Sequence, residues 1–184
     1  IAEKFKKDNK VAIISGDKDF VQLIDKNVSM IDTMKGKTTN IKGVKEKYGL
    51  SPELMIDFFA LIGDSIDNIP GVRGIGPKTA GPLIEKYGSI ENLYKNLDDI
   101  DKERTRNLLI ENMENAKLSK LLVTIKKDLS VDESIEDFKI LPPNLADLND
   151  LFKELEFDSL IMDKKTEASQ VSSDYKIINS EKDF

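Results

Sequence analysis

Two pairs of aspartates are the residues in this sequence best suited to chemistry. Asp17 and Asp19 stand two apart in SGDKD, and Asp64 and Asp67 stand three apart in GDSID. Carboxylates at i and i+2 on a curled loop can converge on one cation, and a pair at i and i+3 shares one face of a helical turn. The second pair follows an apolar segment, where an isolated charge is costly. Both pairs also have plainer readings, as helix caps, turn formers or solvated charges. The chain contains no Cys and no His, which excludes thiol nucleophiles, disulfides, cysteine–histidine zinc sites and imidazole bases. Acid–base or metal chemistry here must use carboxylates, Lys, Tyr or water. A resident metal would be a hard, oxygen-liking cation such as Mg²⁺ or Mn²⁺.

A second kind of chemistry lies just downstream, in IPGVRGIGPKTA. Gly71, Gly74 and Gly76 remove side chains that would keep another molecule from the backbone. Pro77 then opens a helix, so the N–H groups of Lys78, Thr79 and Ala80 are expected to be free, and an anion is favoured there. Lys78 adds a positive charge. Backbone donors grip phosphate without reading bases, so such binding is insensitive to nucleotide sequence. The run GVRGIGPKT lacks the G-x-x-x-x-G-K-[ST] spacing of a triphosphate loop. A purely structural turn is the alternative, and Gly74→Val is expected to separate the two by weakening duplex binding in an intact fold.

The elements that must hold these groups can be read around them. VAIIS, residues 11–15, is a β-branched run of the kind buried in a parallel sheet, and it delivers Asp17 and Asp19 to the strand's C-terminal edge, where open α/β sheets place ligands. Residues 20–24 read as a short helix, 28–32 as a strand, TTNI as a brief extended segment, and 41–48 as a helix closed by Gly49. Ser51, Pro52 and Glu53 start another helix, whose body LMIDFFALIG is apolar nearly all round. After the glycine turn, Ala80, Leu83, Ile84 and Tyr87 keep helical spacing up to Gly88. A long amphipathic stretch follows from Lys102 to about Lys126, with Leu108, Leu109, Met113, Leu118, Leu121, Leu122 and Ile125 as its apolar positions. Residues 145–157 form one more helix, and DKKTEASQVSSD, 163–174, reads as a linker.

The 184 residues are 39% apolar and 34% charged, with a formal net charge of −6. That balance argues against a polyanion partner, but its distribution does not. Residues 35–90 hold eight Lys/Arg against six Asp/Glu, whereas 131–184 hold six against fourteen. A polyanion can therefore engage the middle of the chain. No apolar run approaches a membrane span and no signal-peptide pattern is present, so a cytoplasmic location is expected. The first residue is not Met, and the chain opens within a helical pattern, which reads as a fragment of a longer protein.

IPGVRGIGPKTA, after a buried helix and GDSIDN, resembles the helix-three-turn-helix (helix-hairpin-helix type) motif of the 5′-nuclease, or flap endonuclease, family. SGDKDFVQL resembles that family's second acidic motif, in the same order along the chain. The resemblance covers residues 1–161. LFKELEFDSLI, a polar linker and then YKIIN resemble the passage from the 5′-nuclease domain into the proofreading-type domain of bacterial DNA polymerases I. The implied fold is α/β: the C-terminal part of a PIN-like nuclease core over 1–40, then a mostly helical subdomain over 41–162 with the hairpin motif at 51–88. A linker and the start of a 3′-5′ exonuclease-like domain, 175–184, follow.

The implied activity is metal-dependent phosphodiester hydrolysis at 5′ flaps, nicks and RNA–DNA primer junctions. Asp17, Asp19, Asp64 and Asp67 match the family's later catalytic and metal-ligating acids. Gly71, Val72, Arg73, Gly74, Ile75 and Gly76, with Lys78 and Thr79, match the segment on the duplex backbone. A K⁺ ion is implied there on the carbonyls of Val72 and Ile75. The family's earlier acids precede what is present, so the two-metal site is expected to be incomplete and the chain alone to bind duplex without cutting. A monomer working beside the rest of a polymerase chain is expected. The alternatives are a non-catalytic helix-hairpin-helix module, a free-standing 5′-nuclease, and a nucleotide-binding enzyme.

Overall fold

A computed structural model of the chain describes residues 1–161. The linker read at 163–174 and the domain start read at 175–184 lie outside the described residues. The chain divides into two compact units, Ile1–Glu133 and Ser134 onward.

The first unit begins with a single helical turn, α1 (Ala2–Phe5), and strand β1 (Val11–Ile14). A 3-10 helix over Lys18–Leu23 leads to β2 (Val28–Asp32), which pairs parallel to β1 with Val11 opposite Val28 and Ile14 opposite Ile31. β3 (Lys37–Thr39) then folds back antiparallel on β2. The order β1-β2-β3 leaves β1 as an edge. β1 is not deeply buried: Ile14 is 61% exposed, although VAII has the composition of a core strand.

Helix α2 (Ile41–Tyr48) starts where the Asn40 side chain accepts a hydrogen bond from Gly43 N and stops at Gly49, which is left-handed. The boundary read at 40–41 therefore falls within this unit, at a helix cap. A 3-10 turn (Pro52–Leu54) runs into α3 (Met55–Ile62), whose Met55, Phe58, Phe59, Ala60 and Leu61 are all buried. Around it stand α4 (Pro77–Tyr87), α5 (Ile90–Lys95), α6 (Glu103–Glu111) and α7 (Met113–Val123). One core runs from Val21 and Met30 through α3 to Ile84, Leu93, Leu109 and Val123.

The stretch from Lys102 to Lys126 is two helices broken at Asn112, not one. Its inward positions also differ from the leucine pattern. α7 packs on α3 through Ala116, Ser119 and Val123, while Leu118, Leu121 and Leu122 are 47%, 74% and 53% exposed. Small residues allow the two helices to approach closely, which the leucines would prevent.

The second unit, as far as described, holds a 3-10 turn (Ile135–Phe138) with a capping box and helix α8 (Leu145–Glu154). Neither contains a buried residue.

Candidate active site and nucleic-acid interface

Each aspartate pair is held by its own local hydrogen bonds. Asp17 caps the 3-10 helix after β1, its Oδ1 accepting from Asp19 N at 2.9 Å, while Ser15 Oγ accepts from Asp17 N at 3.0 Å. The loop 64–69 is closed like a clasp: Asp64 N donates to Ile69 O at 2.9 Å and Ile69 N to Asp64 O at 2.7 Å. Inside it, Asp64 Oδ1 accepts from Ile66 N at 2.7 Å and from Asp67 N at 3.4 Å. Asp64 thus spends one oxygen on shaping its own loop.

The two loops meet. Lys18, between Asp17 and Asp19, reaches across 46 positions of chain to form an ion pair with Asp64 Oδ2. The Lys18 side chain also lies over the Phe59 ring, with Nζ 5.8 Å from its centroid. The Lys18 hydrogen bond holds the Asp64 carboxyl below its ordinary range, with the loop N–H groups of Ile66 and Asp67 pulling the same way against desolvation. In return Asp64 raises the Lys18 ammonium above its ordinary value. Asp19 moves in the opposite sense: burial first, then the charges of Asp17, Asp67 and Asp64, push its carboxyl up, and Lys18 only partly offsets this. Asp19 therefore feels the charge of both members of the distant pair.

The donor chemistry suits a hard cation, but the side chains are not gathered around one point. Among the described residues no three acidic groups stand close enough to hold a metal ion. The charge beside Asp64 is supplied by Lys18 instead. Lys18 was not among the sequence-derived candidates, although its place between two acids in SGDKD was the available signal.

The glycine turn is fastened directly to the acidic loop. Gly63 and Gly71 cross so closely that a Cβ on Gly71 would lie 2.6 Å from Gly63 N, and one on Gly63 2.6 Å from Ile69 O. Both residues have positive φ, which glycine tolerates. Val72 N donates to Leu61 O at 2.8 Å, and Gly71 N to the fully buried Ser119 Oγ at 2.8 Å. Ser119 carries no sequence signal of this role: only tertiary packing brings it to Gly71, 48 positions away.

Within the turn, Val72 and Ile75 are buried anchors, while Arg73, Gly74, Gly76 and Lys78 face solvent. Ile75 N donates to Val72 O at 2.9 Å, with Gly74 at φ +88° in the position where a type II turn wants glycine. The Val72 carbonyl named for K⁺ thus already accepts one hydrogen bond and keeps a single lone pair for another partner.

Two sequence-based expectations need correction here. Thr79 N and Ala80 N both donate to Gly76 O at 2.9 Å, so of the three N–H groups expected free only that of Lys78 lacks a partner among the described residues. The reason is geometric: an N-cap carbonyl takes the first helical bonds. Gly74, in turn, is not a neutral place for Val. Its φ is positive, and a Cβ there would meet Leu108 Cδ1 of α6 at 3.1 Å, so the substitution strains the fold. Gly76 has φ −102° and open space around its Cβ position, so no internal contact demands its glycine.

A three-stranded sheet delivering one acidic loop, a clasped second acidic loop and a bare-backbone turn between two helices define a nuclease-type architecture. The flap endonuclease of bacteriophage T5 superposes with a TM-score of 0.58 and 26% identity, over 62% of this chain and 43% of that one, in a crystal structure with DNA and metal ions. The catalytic core of Rad2 bound to a DNA substrate superposes with a TM-score of 0.55 over 82% of this chain at 18% identity, a likeness of fold. In sequence, the chain is 41% identical over 162 residues to a 5′-3′ exonuclease of Aquifex aeolicus, covering 88% of this chain and 55% of that protein. It is 43% identical over 170 residues to the DNA polymerase I of Pseudomonas aeruginosa, covering 89% of this chain and 19% of that protein. Residues 50–146 match the family profile described as 5′-3′ exonuclease, C-terminal SAM fold. The chain belongs to this 5′-3′ exonuclease family. It spans 15% to 19% of the first two DNA polymerase I relatives and about half of the exonuclease relative.

Proposed function

We propose that this chain is the C-terminal part of the 5′-nuclease domain of a bacterial DNA polymerase I. In that domain it takes part in removing 5′ flaps and RNA primers at nicks and primer junctions during replication and repair. The observation that carries the reading is the joining of the Lys18–Asp64 contact to the Gly63–Gly71 crossing, which ties the two acidic loops and the glycine turn together. Asp17, Asp19, Asp64 and Asp67 are the residues assigned to divalent cations, Mg²⁺ or Mn²⁺. When bound, such an ion supplies an activated water and offsets charge at the scissile phosphate.

The chain's own residues do the positioning. Gly76, Gly74, the Lys78 N–H and the Arg73 and Lys78 side chains receive the duplex backbone without reading bases, and Thr79 flanks them at the helix start. The carbonyls of Val72 and Ile75 are assigned to K⁺. Two separated phosphates of one substrate account for acids and cradle lying side by side: cations bridge one, backbone donors hold the other. In this reading the chain by itself binds duplex and does not cut. A monomer acting with the rest of the polymerase chain, in the cytoplasm at the nucleoid, completes the proposal. Among the described residues no helix is long and apolar enough to cross a membrane.

The test uses the intact polymerase with Asp64→Asn and Asp67→Asn together. Flap cleavage falls by orders of magnitude while duplex affinity holds or rises. Unchanged cleavage would leave the non-catalytic helix-hairpin-helix module as the better reading.

A further inference from the structure

We propose that the groove beside the 64–69 loop receives the neutral part of a nucleic-acid strand, its sugar and base faces, with Ile66 as the apolar contact. The proposal rests on the reading of the glycine turn as a cradle for the duplex backbone. It adds a second kind of contact, one that phosphate binding does not supply.

The groove holds about 680 Å³, and the charged residues in its lining are Lys18 and Asp64. These two are paired with each other, so the lining as a whole is neutral. It therefore has no net charge with which to draw a phosphate, which the glycine turn is placed to receive. The rest of the lining divides by chemistry: Ile62, Ile66 and Pro70 are apolar, while Ser65 and Asn68 bring a hydroxyl and an amide. An apolar wall with a few hydrogen-bonding groups suits the face of a base and the C–H face of a sugar, which carry both kinds of surface.

Ile66 is held out rather than left loose. It is 91% exposed, yet its N–H donates to Asp64 Oδ1 at 2.7 Å, and the paired hydrogen bonds between Asp64 and Ile69 close the loop around it. Ile69, only 8% exposed, anchors the far end of the loop in the core. The Ile66 side chain is branched at Cβ and stiff about χ1. An apolar group presented in this way loses little freedom on contact, so most of its burial appears as affinity. Its neighbours Ser65, Asp67 and Asn68 are polar and exposed, and the loop leaves Ile66 open to solvent. Placement then selects the occupant. The Gly63–Gly71 crossing fastens this loop to the glycine turn, so a strand with its phosphates on the turn brings its sugars and bases to the loop beside it.

The consequence is a part of the affinity that salt does not screen. Duplex binding by the 184-residue chain, followed by fluorescence anisotropy with a fluorescein-labelled 5′-flap duplex over about 50 to 200 mM KCl, separates it from the phosphate contacts. Ile66→Ser is expected to bind about five- to tenfold more weakly at every salt concentration, with the log–log slope unchanged. Lys78→Met is expected to lose affinity mainly at low salt, its slope shallower by about 1. Ile66→Leu, which restores the apolar surface, is expected to bind within about twofold of the unsubstituted chain. Should Ile66→Ser prove less stable to heat, Ile66→Thr, which keeps the branch at Cβ, takes its place with a loss of the same kind. Equal affinity of a folded Ile66→Ser and the unsubstituted chain overturns the apolar contact and leaves the duplex reading standing. A loss in Ile66→Ser that comes with a shallower slope does the same, because that loss is electrostatic. An unsubstituted chain that binds no duplex overturns the inference together with the reading on which it rests.

Discussion

Single residues decide how the cradle can be probed. Because Gly76 has ordinary φ and nothing near its Cβ position, Gly76→Val is expected to leave the melting temperature within a degree or two while lowering duplex affinity about tenfold, by fluorescence anisotropy. Gly74→Val is expected to destabilise by about 1–3 kcal/mol in urea unfolding, through positive φ and the Leu108 contact. The same affinity loss in both variants without any loss of stability would show that the Leu108 contact yields. The aspartates give opposite pH signs. Asp64, depressed mainly by Lys18, contributes stability that is present above the unfolded carboxylate pKa of roughly 4 and lost as pH falls through its lower folded value. Asp19, raised mainly by burial, works against stability once pH rises above that unfolded value. Asp19→Asn is therefore expected to raise the melting temperature at pH 7 and to change little at pH 3. A lower melting temperature at pH 7 would mean that the Asp19 charge is compensated by a partner.

At the scale of elements, α7 is the fastener. It reaches the glycine turn through Ser119 and Gly71, and it reaches the acidic loop's own helix through Gln22, whose Nε2 donates to Val123 O at 2.8 Å. Through Lys120 it also holds Asp57 of α3 at 2.7 Å and Glu91 of α5 at 2.8 Å. Asp57 is buried, and its Oδ1 also accepts from Ile90 N at 2.9 Å, at the start of α5. Lys120→Met leaves that carboxylate buried with one partner fewer, so a loss of about 3 kcal/mol is expected in urea unfolding. A loss below about 0.5 kcal/mol would show that Asp57 needs only its backbone donor. Ser119→Ala strands a buried N–H and is expected to cost about 1–3 kcal/mol, with the larger effect on duplex affinity if the turn it frees receives phosphate as proposed. The element pattern also explains a limit of periodicity. Leu118, Leu121 and Leu122 satisfy helical spacing as well as Ala116, Ser119 and Val123 do, and only the closeness of α3 selects the smaller set.

For the molecule as a whole, charge is unevenly spread along the sequence: residues 35–90 are a slightly basic exception within an acidic chain. Duplex affinity is expected to fall steeply with salt, with a log–log slope of about −2 to −4 if three or four phosphates are neutralised. A flat response would argue against phosphate contacts. How much of this was legible beforehand differs between the parts. The helix–turn–helix with its glycines, the buried α3 and the two acidic loops could all be read, because each depends on local rules: turn chemistry, caps and an unbroken apolar run. The role of Lys18 and the Ser119 bond could not, because each depends on segments 46 or more positions apart meeting at one place, and neither could the break at Asn112. The residue types settled by themselves that any chemistry here runs on carboxylates and backbone donors, for want of Cys and His. Whether those carboxylates face one another was decided only by the packing of α3 between β1's loop and α7, since charge and distance, unlike composition, exist only once the chain is folded.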